Sequence, residues 1–206
     1  MCKILFPSIH KYICTYLHSN SYICHILFTD WSKVEELAKK LKPNFETYSS
    51  ALINFLVGEA KLEQYLQDNP PLRSLGVADA KDGLKEAKTC LLTTIGDDAK
   101  QLGVHLDSII LLGKLNFAEA NYKEALEHYE KANIDKLEEK MLPPRSIKML
   151  AEAFAIQAMC YEKVPVGSTS KNKIAEREAT IIKSYEISGD LTLLFLQVAD
   201  RYVYNG

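Results

Sequence analysis

The sequence predicts an all-α fold, a right-handed solenoid built from helical hairpins. Three observations predict it. From residue 30 onward apolar residues recur at helical spacing, and no stretch reads as a strand. Several of these helices carry apolar residues on two sides, as helices buried between neighbours must. Residues 108–133 read as one helix–turn–helix unit with small and aromatic residues at fixed offsets.

That unit runs S-I-I-L-L-G-K-L-N-F-A-E-A, then N-Y, then K-E-A-L-E-H-Y-E-K-A-N. It resembles a tetratricopeptide hairpin, whose pattern asks for an aromatic, Leu-Gly, Tyr, Ala, an aromatic and Pro. Ile109 stands first, Leu112 and Gly113 match, Asn116 replaces the Tyr and Ala125 matches. Tyr129 replaces the Phe, and Leu137 stands where the Pro would be. Gly113 and Ala125 are expected where the two helices cross closely, with Tyr122 and Tyr129 filling the space on either side and Ala132 packing beyond. A larger side chain at the crossing would cost on the order of 1–3 kcal/mol by overpacking.

The 206 residues suffice for one or two domains, and the apolar fraction of 47% predicts a packed core. Lys and Arg number 25 against 27 Asp and Glu, so the basic excess of a nucleic-acid footprint is missing. The cysteines are Cys2, Cys14, Cys24, Cys90 and Cys160, odd in number and unevenly spread, which reads as free thiols rather than a disulfide framework. Apolar runs in the N-terminal segment reach only three residues, far short of a membrane span. Cys2 rules out N-myristoylation, and Pro7 and His10 interrupt any signal-peptide core.

Residues 1–29 form an atypical N-terminal extension with no acidic residue; residues 30–206 form the helical array. His10, Cys14, His18, Cys24 and His25 invite a zinc reading, but their spacing fits no paired-ligand pattern. Asp30 caps a first helix with Trp31, Val34, Leu37, Ala38 and Leu41 on one face. A second helix covers residues 46–66 and stops before Pro70 and Pro71. Asp79 starts the next, with Leu84, Ala87, Leu91 and Ile95 as its stripe. One long helix is then expected over residues 98–120, followed by the second helix of the hairpin.

Beyond a Pro-Pro connector, residues 146–163 form a helix with stripes on two sides. Phe154, Ala158 and Tyr161 occupy repeat offsets in it. A flexible insertion follows. A helix resumes near Ile174 with Ala179, Ile182 and Tyr185 facing inward, and Gly189 is expected to close it as a C-cap. Asp190 then caps a last helix, apolar on two sides through Leu191, Leu194, Phe195 and Val198 and through Leu193 and Leu196. About seven helices result, and a solenoid that ends on an apolar helix calls for further repeats or another chain to cover it.

The sequence carries no phosphate-binding glycine loop, nucleophile elbow or metal motif, and no catalytic, cofactor or metal site is expected. Asp97 and Asp98 read as first-turn acids, and His105 and His128 have no acid or nucleophile at a telling offset. Lys81, Lys85 and Lys88 read as a solvated basic edge. Repeat domains that clamp a C-terminal carboxylate place Asn after the conserved Gly and basic residues on the next repeat. Here those positions hold Lys114, Glu152 and Ile156, so a chaperone-type clamp is not formed. A generic peptide-binding groove is the alternative to a scaffold.

Several blocks in order carry a more specific resemblance: residues 31–41, 58–66, 115–126, 142–155 and 184–197. Together they resemble the N-terminal part of the tetratricopeptide repeat protein 7 family. The resemblance implies a non-catalytic cytoplasmic scaffold, recruited peripherally to the plasma membrane without inserting into it. Its implied partners are the type III alpha phosphatidylinositol 4-kinase, hyccin and a palmitoylated membrane anchor, and the assembly makes phosphatidylinositol 4-phosphate. Hyccin is expected to bind through later repeats. The resemblance assigns no contact residue to this chain.

Overall fold

The computed structural model describes residues 30–41, 48–69, 77–137, 142–165, 167 and 170–204. The zinc candidates of the N-terminal extension lie outside these residues. All regular structure among the described residues is helical: α1 (Trp31–Leu41), α2 (Tyr48–Asp68), α3 (Val77–Gly83), α4 (Lys85–Leu92), α5 (Asp97–Leu102), α6 (His105–Ala118), α7 (Tyr122–Ala132), a 3-10 turn (Ile134–Lys136), α8 (Pro144–Lys163) and α9 (Lys171–Tyr204).

Each helix packs on near neighbours in the chain, which is how a repeat stack buries a continuous core. Three pairs form the hairpins: α2 with α4, α6 with α7, and α8 with α9. The first helix of a hairpin also touches the first helix of the next, so α2, α6 and α8 line one side. The second helix of one hairpin is flanked by the first helix of the next, α4 by α6 and α7 by α8. Helix α1 packs on α2 at the front. The fold is an all-α repeat stack of tetratricopeptide type.

Four sequence expectations need correction. The stripe expected from Asp79 to Ile95 is two segments, α3 and α4, meeting at Leu84, whose backbone stays helical at φ −94° and ψ −3°. Ile95 falls beyond that helix and is exposed. The long helix expected over residues 98–120 breaks at Gly103, whose φ of +78° favours glycine and closes α5. Gly189 does not end a helix: α9 runs through it for 34 residues. A glycine within a helix costs only about 1 kcal/mol, and packing around it exceeds that. Ile187 and Leu191 are buried on either side, and the Ser188 hydroxyl donates to the Ala151 carbonyl at 2.8 Å.

An unbroken α9 also turns Tyr185 and Ile182 outward. Its buried line runs through Ser184, Ile187 and Leu191, about a third of a turn from Tyr185 and about half a turn from Ile182 at 3.6 residues per turn. Tyr185, expected among the repeat-packing residues, is 39% exposed, and its hydroxyl bonds to Glu162 at 3.1 Å.

Candidate interaction surface

The repeat core is built around Tyr129, which is fully buried with Leu112, Ala125, Ala132, Phe154 and Ala158. A Cβ added to Gly113 would lie 2.6 Å from the Tyr129 ring, so the small residue is required by that ring rather than by Ala125. Tyr122 is half-buried and meets Phe117 at 5.8 Å between ring centres. Tyr161 is half-buried beside Arg177, whose guanidinium lies 6.0 Å from its ring. Cys160 is buried in the same core, and burial pushes its thiol up to about 12. These buried side chains hold the hairpins together.

The side lined by α2, α6 and α8 carries two ionic clusters, each joining all three first helices. Arg145 at the start of α8 donates to Asp107 of α6 at 2.9 Å and to Glu59 of α2, and stacks over Phe55 at 5.5 Å. Lys114 of α6 donates to Glu63 of α2 at 2.6 Å and to Glu152 of α8 at 2.8 Å. Burial pushes the Asp107 carboxyl up to about 7 even though Arg145 pulls it down. Burial works to lower the Lys114 ammonium, but Glu152 and Glu63 together raise it.

The sequence reading missed these clusters. The available signal was acidic residues, Glu59 and Asp107, on otherwise apolar first helices. Their partners lie 86 and 38 residues away, which no local spacing reveals. The position a carboxylate clamp would use is occupied by a lysine that two carboxylates already hold. A peptide C-terminus would have to displace Glu63 and Glu152, so the carboxylate clamp loses its binding group.

The outer flank of α9 is different. Ile182, Tyr185, Leu193 and Leu196 are 57%, 39%, 59% and 52% exposed and share one face with Gly189. In the two preceding hairpins the corresponding flank is covered by the next first helix. Among the described residues nothing covers it here. Apolar side chains in a file of this length mark a contact surface.

Among the described residues no three His, Cys, Asp or Glu are grouped to hold a metal ion, and no helix is long and apolar enough to cross a membrane. Asp97 is paired with Lys100 at 2.8 Å, and His128 contacts the Glu124 carbonyl in its own helix.

Comparison with known proteins agrees. The family described as tetratricopeptide repeat protein 7 N-terminal matches residues 21–206. Tetratricopeptide repeat protein 7B of Homo sapiens is 32% identical over 173 residues, covering 84% of this chain and 20% of that protein. The Mus musculus 7B protein is 32% identical over 171 residues, covering 83% of this chain and 20% of the relative. Protein 7A of Homo sapiens is 26% identical over 195 residues, covering 85% and 23%. The chain therefore spans about a fifth of the length of the 7B relatives it matches. The matched segment takes in all three hairpins and the uncovered flank of α9, and the chain belongs to the tetratricopeptide repeat protein 7 family.

Proposed function

We propose that this chain is a non-catalytic scaffold that helps assemble a type III alpha phosphatidylinositol 4-kinase complex and hold it at the plasma membrane. The family membership carries this reading. The stack supports it physically, because the Arg145 and Lys114 clusters are spent on joining the first helices and an apolar surface faces outward on α9. In this reading the activity belongs to the bound kinase, and this chain supplies only a rigid contact surface. Recruitment is peripheral and comes through a palmitoylated anchor protein, while hyccin binds through repeats outside this chain.

The test is co-purification of the full chain with the helical-solenoid portion of the kinase, with hyccin as the comparison. Retention of the kinase but not hyccin is expected. Leu193→Glu combined with Leu196→Glu is expected to release the kinase while leaving the helical circular dichroism intact. Failure to retain the kinase from a folded sample would remove the kinase contact from this chain.

A further inference from the structure

The basic edge on α3 and α4 is more organised than a solvated face requires. The helical backbone continues across Leu84, whose amide bonds to Ala80 at 3.0 Å and whose carbonyl accepts from Lys88 at 2.9 Å. Lys81, Lys85, Lys88 and Leu92 therefore stand in one file, four, three and four residues apart. Opposite them, the end of α6 and the turn into α7 bring Glu119 and Asn121, and a cleft of about 390 Å³ lies between.

One wall of this cleft is fixed from inside. Glu119 is only 2% exposed, and its carboxylate accepts from Lys88 at 2.5 Å and from Asn121 at 3.0 Å. Lys88 is thereby neutralised within the fold. Lys81 and Lys85 are exposed and make no ion pair among the described residues. Glu86 is turned away from the cleft and pairs with Lys61 of α2 at 2.9 Å. Leu92, 48% exposed, closes the file with an apolar contact. Two ammonium groups without an ion pair beside an exposed leucine give this wall of the cleft a basic, partly apolar character, while the exposed Asp79 and Asp82 lie off the file on the same helix.

We propose that this cleft docks an acidic, amphipathic segment of a partner protein. Carboxylates of the segment meet Lys81 and Lys85, and an apolar side chain meets Leu92. The charge complementarity names the occupant, since an apolar or basic segment would leave both lysines unmatched or opposed. The proposal needs a protein partner but not the kinase, so it stands or falls apart from the kinase reading.

The test uses the full chain and a short fluorescein-labelled peptide of glutamate pairs alternating with leucine. The comparison peptide has every glutamate replaced by glutamine. Fluorescence anisotropy is expected to show salt-sensitive binding of the acidic peptide and little of the glutamine form. Lys81→Glu with Lys85→Glu is expected to weaken binding by about tenfold or more, and Lys131→Glu with Lys173→Glu by less than about twofold. Leu92→Ser is expected to weaken it as well. Unchanged thermal melts would show that the variants remain folded, since every substituted residue is exposed. Equal loss in the two lysine pairs, or no binding of the acidic peptide, would overturn the proposal. So would Lys81- and Lys85-dependent binding to phosphatidylserine vesicles by a chain that ignores the peptide.

Discussion

Replacing Arg145 with Met tests whether the ionic clusters hold the three first helices in register. Methionine keeps much of the side-chain volume and the contact with Phe55, but it removes the guanidinium between Asp107 and Glu59. Asp107 is 1% exposed and Glu59 is 3% exposed, so both carboxyls would be left with little access to water. Removing one partner of such a cluster costs about 3–5 kcal/mol, because the carboxyls left behind either stay charged without a partner or must take up protons. In a chain of this size each kcal/mol moves the melting temperature by about 2–4 °C, so a drop of roughly 10 °C is expected. The assay is thermal unfolding followed by circular dichroism at neutral pH. The triple change Glu59→Leu, Asp107→Leu and Arg145→Met is expected to recover most of the loss, since apolar replacement of a whole cluster is near neutral. A single variant melting within about 2 °C of the parent would refute the reasoning.

Three further predictions follow from single side chains. The Asp107 carboxyl is raised to about 7 in the fold, so the folded state keeps a proton that the unfolded chain loses near its ordinary value. Its stabilising contribution is complete below the unfolded value and is lost as pH rises to about 7; Asp107→Asn is expected to flatten the urea midpoint across that window, and an unchanged slope would contradict it. Gly113→Ala drives a methyl to within 2.6 Å of the Tyr129 ring and should cost about 1–3 kcal/mol in urea unfolding, whereas a neutral result would mean that the ring moves freely. Gly189→Ala meets nothing within 4 Å in the middle of α9 and should stabilise by about 0.5–1 kcal/mol, whereas destabilisation would show a helix end there.

The sequence by itself determined the helical class, the hairpin of α6 and α7, and the family. Those rest on local signals: 3.6-residue periodicity, prolines at Pro70 and Pro143, and the spacing of Gly113 from Ala125. The breaks were harder to read, because they depend on competition between a local preference and packing. Gly103 adopts a left-handed backbone and ends α5, while Gly189 stays helical because buried neighbours on both sides press α9 onto α8. Both look like stop signals in one dimension. Only the tertiary structure placed Tyr185 outside, since the orientation of a residue on α9 depends on whether the helix is continuous through Gly189. It also decided the pairing of Arg145 with Glu59 and of Lys114 with Glu152, and it brought Lys81 and Lys85 opposite the turn at Glu119. Charges on separate helices attract according to distance in space. The stacking of hairpins sets that distance, and the order of residues along one helix does not contain it.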